Sequence, residues 1–337
     1  MADPQVSVLL PVHNGAATLD RALESLTRQT LSDWEAVVVD DGSDDATPGV
    51  LATWAGRDPR IRPMTLPRTG IVGALNAGLA ACRGRYVARL DADDACHPER
   101  LKRQAHHLDS DPDLGLSACR VGFGGCREAC AGYARYVDWT NSLLDSGRIA
   151  LNRFIESPLA HPSVMFLADL PVRLGGYRHG DFPEDYELWL RWLETGVRME
   201  KLADELVEWT DSPERLSRTD PRYAPGAFHR MKATYLARWL AGNNPRHPRL
   251  WVWGAGKVSR RNAAHLLEHG VKFQGFVDID SRKIGQKVSG LPVIAREDIP
   301  GDAFVAVYVG SLGAREEIRD FLEKSGRVEG RDYILAA

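Results

Sequence analysis

The sequence predicts an α/β protein: a large unit on a mostly parallel, Rossmann-like sheet, followed by a small doubly wound module. Three observations lead there. Apolar runs of strand length alternate with amphipathic stretches through the opening third of the chain. Acidic or turn-rich segments, His13-Asn14-Gly15, Asp40-Asp41-Gly42-Ser43 and Asp91 to Asp94, follow three of those runs. The strand, turn and helix pattern then restarts after Asn243-Asn244-Pro245-Arg246-His247-Pro248, whose composition is that of a linker.

The elements follow in order. Residues 6–12 read as a buried strand, 18–29 as a helix, 34–40 as a second strand and 46–55 as a helix. Residues 61–66 are strand-like, 71–81 form an apolar helix, and 86–90 make a fourth strand running into the acidic triplet. Alternation at this spacing implies βαβ units, and in such sheets ligands collect outside the carboxyl ends of the strands. The middle, from about residue 96 to 244, is less regular, with a strand at 163–167 and a helix at 184–195. In the last stretch, strands are expected at 250–253, 273–277, 291–294, 304–309 and 333–336, with helices at 259–269 and 314–323. The expected division is therefore 1–244 and 245–337.

Composition narrows the class. With 337 residues, 44% hydrophobic and 26% charged, the chain has the proportions of a globular protein, not of a disordered or collagenous one. No apolar run approaches the roughly 18 residues of a membrane span. Five cysteines, an odd number, fit a reducing compartment better than a disulfide framework, so a cytoplasmic protein, soluble or peripheral to the inner face of the membrane, is expected. Cys119, Cys126 and Cys130 lack the spacing of paired zinc ligands. The net charge of −3 is uneven, because residues 246–337 carry 15 basic and 12 acidic side chains. That mild excess permits a phosphate-backbone contact without requiring one.

The acidic clusters each admit two readings. Asp91 and Asp93, two apart on an extended chain, point the same way and can share a hard cation such as Mg²⁺ or Mn²⁺; alternatively they form a solvated turn before the next helix. Asp40-Asp41-Gly42-Ser43 either accepts from a base or ribose or caps a helix. Pro183-Glu184-Asp185 opens a helix, as an N-terminal cap or as a general base held ionised there.

Taken together, these segments resemble the family 2 glycosyltransferases of the GT-A fold. Val6 to Asn14, Val38 to Ser43, Ala74-Leu75-Asn76-Ala77-Gly78-Leu79, Arg83 to Asp94, His161 to Phe166 and Glu184 to Arg191 carry the likeness, over roughly residues 5 to 210. The resemblance implies an inverting, metal-dependent transfer of one sugar from a nucleotide-diphosphate donor, UDP-linked, to an acceptor hydroxyl such as a cell-envelope glycan intermediate. It implies that Pro11, Asp41 and Asp91 border the nucleotide, Asp41 near the base and Asp91 near the ribose, with Arg68 contacting phosphate or base. Asp93 would hold the divalent metal, and Asp185, supported by Glu184, would be the catalytic base. His161 would lie under the acceptor or be structural. A non-catalytic nucleotide-sugar-binding scaffold is the alternative.

Near the end, Gly254-Ala255-Gly256-Lys257 follows a strand and opens a helix, with Asp278 beyond it, in the manner of a dinucleotide-binding turn. Ser259 stands where a third glycine would be. A second nucleotide site and a structural module for homo-oligomer formation or acceptor docking are both open. Trp253 to Lys257, Phe276 to Asp280 and Lys283-Ile284 are also similar to the animal queuosine-tRNA galactosyltransferases, which makes tRNA an alternative acceptor.

Overall fold

A computed structural model describes residues 3–212 and 215–337. The chain forms two compact units, one of 1–149, 158–180 and 184–219, the other of 150–157, 181–183 and 220–337. The expected α/β class holds in both.

The first unit carries one eight-stranded sheet. Its strands are β1 (Val6–Val12), β2 (Trp34–Asp41), β3 (Ile61–Leu66), β4 (Tyr86–Arg89), β5 (Ala95–Cys96), β6 (Leu114–Gly124), β7 (Met165–Leu167) and β8 (Arg198–Thr210), in the order β3-β2-β1-β4-β7-β6-β8-β5. The first four run parallel, as their crossover helices require. β7 is antiparallel to both β4 and β6, so the sheet changes direction just beyond the acidic triplet. β6 and β8 pair in parallel over their length, with register shifts around Cys119 to Val121.

The continuous apolar run of β1 is explained by burial on both faces. Val8, Leu10 and Val12 join Leu19, Leu23 and Leu26 of the helix Leu19–Thr27 in one core. Leu9 faces the other side, against the helix Gly70–Ala81: a Cβ on Gly78 would meet Leu9 Cδ1 at 2.2 Å and Val39 Cγ2 at 2.9 Å. Gly78 thus lets this helix lie directly on the sheet.

At the amino end of the sheet, buried Ser7 donates to Glu35 Oε1 (2.7 Å) and accepts the amides of Arg83 and Gly84. Burial opposes the Glu35 charge, but hydrogen bonds from Arg83, Ser7 and Arg62 outweigh it and hold the carboxyl at about 2. This lowered value adds stability above roughly pH 4.5, lost as pH falls towards 2. Gly84 has no room for a side chain, since a Cβ would sit 2.5 Å from the Ser7 nitrogen and 2.8 Å from the Val6 carbonyl carbon. Gly84→Ala is therefore expected to cost about 1–3 kcal/mol, as an overpacked site does. Urea denaturation checks this: an unchanged midpoint would show that the backbone yields without strain.

The second unit has its own sheet. β9 (Arg249–Trp253), β10 (Lys272–Val277), β11 (Lys287–Val288), β12 (Leu291–Ile294), β13 (Val305–Val307) and β14 (Tyr333–Leu335) lie in the order β11-β12-β10-β9-β13-β14. All pairings are parallel except β11 with β12, which gives the expected doubly wound pattern. The helix Pro225–Asn243, which the expected division at 244 placed in the first unit, belongs to this one. The helix expected at 259–269 starts at Lys257 and tightens to 3-10 geometry from His265. Among the described residues, no helix is long and apolar enough to cross a membrane.

Candidate active site

Parallel strands deliver their carboxyl ends to one edge, and the chemistry-bearing residues of the first unit gather there. Pro11 lies near the end of β1, buried and opposite Val39 of β2. Asp41 closes β2 and is almost fully buried. Its Oδ1 accepts the amide (2.7 Å) and hydroxyl (2.8 Å) of Thr69, and its Oδ2 accepts from Arg68 Nη1 (2.9 Å). Gly42 makes this approach feasible: its φ is +69°, and a Cβ would meet the Arg68 nitrogen at 2.8 Å. Asp41 and Arg68 therefore stand together, with the Arg68 side chain half exposed.

The triplet after β4 is the densest charge in the unit. Asp91, Asp93 and Asp94 each present a carboxylate oxygen, all within 4.8 Å of one another. Beneath them lies Arg89, a fully buried cation that donates to Asp91 Oδ1 at 2.5 Å and to the Leu90 carbonyl. Burial opposes ionisation of Asp91, but the charges of Arg89 and Arg215 hold its carboxyl below the ordinary range. Asp93 is pushed upward by burial and by the neighbouring Asp91 charge. Asp94 is pushed much further, by burial, Asp91 and Asp93. One Asp94 oxygen accepts the Thr210 amide at 2.8 Å, while its buried Oδ2 has no hydrogen-bond partner among the described residues. Three converging carboxylates, two driven towards protonation by burial and then by mutual repulsion and one with an orphaned oxygen, form an oxygen donor set that suits a hard divalent cation.

The helix Glu184–Glu194 brings the other acids. Glu184 is buried, and Asp185, half-buried, accepts the Tyr186 amide at 2.7 Å. Burial first, then the charges of Glu184 and Asp91, raise the Asp185 carboxyl to about 8. His161 hydrogen-bonds through Nε2 to the Tyr177 hydroxyl (2.7 Å) and packs edge-on to Trp189. Burial and the Arg89 charge keep it neutral, with Asp91 opposing. Tyr177 is fixed on both backbone groups by Asn76, and the loop before it by Arg191, which donates to the carbonyls of Leu174, Gly175 and Gly176. Asp91, His161, Tyr177, Glu184 and Asp185 thus share one electrostatic neighbourhood, whereas Asp41 and Arg68 make their bonds on the β2 side.

Sequence reading passed over four members of this group: Arg89, Asp94, Tyr177 and Arg215. Arg89 carried a usable signal, a cation in an otherwise apolar strand, two residues before a carboxylate. Arg215, whose guanidinium lowers the carboxyls of Asp91, Asp93 and Asp94, follows the sheet by five residues in an irregular segment and carried none.

In the second unit, Gly254 and Asp278 meet at the ends of β9 and β10. Asp278 is buried; its Oδ2 accepts the Ala255 amide (3.0 Å) and pairs with Lys283 Nζ (3.0 Å), and its Oδ1 accepts the Asp280 amide. Gly254 has φ +121°, and a Cβ there would meet Ser259 at 2.7 Å. Gly256 precedes the helix Lys257–Ala264, and Lys257 is exposed on its first turn.

A parallel sheet with carboxylates at its carboxyl edge, an antiparallel strand beside β4 and a carboxylate-headed helix beyond it are the architecture of the GT-A fold. The glycosyl transferase family 2 pattern matches residues 7–167, and a second pattern, C2185-like, N-terminal, matches residues 247–331. The chain is 32% identical to the amylovoran biosynthesis glycosyltransferase AmsE of Erwinia amylovora, over 60% of this chain and 74% of that protein. It is 28% identical to the Escherichia coli UDP-Gal:alpha-D-GlcNAc-diphosphoundecaprenol beta-1,3-galactosyltransferase, over 69% of this chain and 86% of that one. The crystal structure of Staphylococcus aureus TarS 1–349 with UDP-GlcNAc has a similar fold: TM-score 0.55, 18% identity, 70% of this chain and 66% of that one. The chain belongs to glycosyl transferase family 2, and it is a glycosyltransferase by family.

Proposed function

We propose that this chain transfers one hexose from a UDP-sugar to a hydroxyl of a cell-envelope glycan intermediate, with inversion. The observation that carries the reading is the shared neighbourhood of the Asp91–Asp93–Asp94 carboxylates and Asp185: a donor set for a cation beside a carboxyl with the pKa of a working base. The AmsE and E. coli relatives, named for polysaccharide and lipid-linked glycan synthesis, support the acceptor class.

Asp185 takes the proton of the acceptor hydroxyl as its oxygen bonds to the anomeric carbon and the bond to the diphosphate breaks. Asp93, with Asp91 and Asp94, would hold a divalent cation, which would supply Lewis-acid stabilisation of the departing diphosphate. Arg215 adds a fixed positive charge on that side, and Arg89 keeps Asp91 ionised. Pro11, Asp41 and Arg68 form the nucleotide wall, and Glu184 supports Asp185. His161, neutral and held by Tyr177, lines the acceptor side.

The test is transfer from a panel of UDP-sugars with Mn²⁺ to undecaprenyl-diphosphate-linked acceptors, with queuosine-containing tRNA as the second arm. Transfer to the lipid-linked glycan is expected. Transfer only to tRNA would overturn the acceptor assignment, and no donor turnover with any acceptor would overturn the enzyme reading. The pH profile follows from Asp185. Its ionised form is the competent base, so kcat/KM should fall about tenfold per pH unit below about 8 and level off above it. A profile flat from pH 6 to 9 would remove Asp185 from that role.

A further inference from the structure

We infer that Asp211 and Arg218 are positioning residues: they latch the segment after β8 and hold Arg215 beside Thr210, whose amide binds Asp94 of the acidic triplet. The inference rests on the donor site proposed above and names what sets its fixed cation.

Arg215 has a long side chain that would sample many rotamers on a free loop. Here it is held on several sides. Its guanidinium stacks over Trp209 at 4.0 Å, Nη1 donates to the Thr210 carbonyl at 3.3 Å, and Asp211 Oδ1 lies 3.9 Å away. Asp211 is itself anchored: Arg218 Nη2 donates to both of its oxygens, at 2.7 and 2.8 Å, and the pair is largely buried. Arg218 in turn caps the Tyr133 ring at 4.6 Å, donates to the Ser212 carbonyl (3.0 Å) and reaches Cys130 Sγ (3.5 Å). Tyr133 belongs to the helix Ala131–Ser142, so the latch ties the segment to a rigid element of the same unit. Its other end is the Thr210 amide on Asp94, which couples the latch to the triplet by a single hydrogen bond.

The charges fit this division of labour. Asp211 lies between two arginines and is held below the ordinary carboxylate range: burial opposes its charge, but hydrogen bonds from Cys130 and Arg218, then both guanidinium charges, prevail. Arg218 spends its charge on Asp211. Arg215, with only a loose contact to Asp211, meets the carbonyl of Thr210, the residue whose amide lies on Asp94. An arginine so placed is what a diphosphate between it and a cation would require.

The experiment uses the full chain, with UDP plus Mn²⁺ and uridine as probes. Arg215→Met should weaken UDP binding about 10- to 100-fold and leave uridine unchanged. Asp211→Asn and Arg218→Met should each weaken UDP about tenfold, raise the donor KM more than they lower kcat, and add nothing further in the Arg215→Met background. Arg218→Lys should recover part of the affinity. Asp211→Asn leaving UDP binding intact, or adding its full effect on top of Arg215→Met, would overturn the positioning role. Hydrogen exchange of 209–212 and 215–218 in the ligand-free protein gives an independent readout, expected to accelerate in Asp211→Asn; unchanged protection would overturn the latch. If wild type bound no UDP, the donor reading would fall, while the exchange result would still decide the latch.

Discussion

Asp185→Asn is expected to lower turnover by about 10³- to 10⁴-fold, the range a lost general base commands, while leaving donor binding intact. The same substitution should stabilise the protein. In the fold the Asp185 carboxyl titrates near 8, against 3.8 when unperturbed, because burial, Glu184 and Asp91 all oppose its charge. A carboxyl raised in the folded state binds its proton more tightly there, so between pH 4 and 8 stability falls as pH rises. Asparagine keeps the shape and removes the charge. At pH 7 the variant should therefore melt higher, by about 2–4 °C if roughly 1 kcal/mol is recovered. The gain should shrink towards pH 4 and vanish below about pH 3, where the wild-type carboxyl is protonated in both states. A variant that melts lower at pH 7, or turns over normally, would contradict the electrostatic account.

Chelation is expected to have a comparable effect. EDTA should reduce transfer by 10³-fold or more, and Mn²⁺ should restore it; full activity in excess EDTA would refute the assignment of Asp93. Binding also has a readout free of turnover. A cation that meets only the folded triplet stabilises by RT ln(1 + [L]/Kd), about 2.7 kcal/mol at a hundredfold excess over Kd. Mn²⁺ alone should thus raise the melting temperature of wild type, and Asp93→Asn should abolish most of that shift. Asp94→Asn should weaken it as well, because the orphaned Oδ2 is one of the donors.

Much of the first unit was legible because its strands are continuous apolar runs punctuated by Gly, Asn and Asp. β1 to β4 and their three crossover helices stand within a few residues of the expected bounds. β6 and β8 were missed for a physical reason. β8 contains Arg198, Glu200, Lys201, Asp204, Glu205 and Glu208, and its long pairing with β6 carries register shifts, so neither strand offers clean alternation. Lys201 is buried there, its ammonium satisfied by the Thr140 carbonyl and hydroxyl and the Pro158 carbonyl. Such a position contradicts local hydropathy and becomes intelligible only through tertiary partners. The acids of the site could be read from the sequence because they sit at element ends. Tyr177 and Arg215 could not, since what places them, Asn76 and Arg191 in one case and Trp209 and Asp211 in the other, is distant in sequence or lies in irregular chain.

Arg89 and Arg100 are both buried around the end of β4, one pairing with Asp91 and the other donating to the Arg89 carbonyl. Their charge is permanent, so the acidic triplet is partly neutralised by the polypeptide before any ion arrives. The fold is therefore expected to form without the ion, which adds to its stability only when bound. A preparation stripped of metal should keep its tertiary structure and regain activity on simple addition of the ion, without refolding. Occupancy of the triplet, followed by the melting temperature, should then rise and fall reversibly with the free Mn²⁺ concentration.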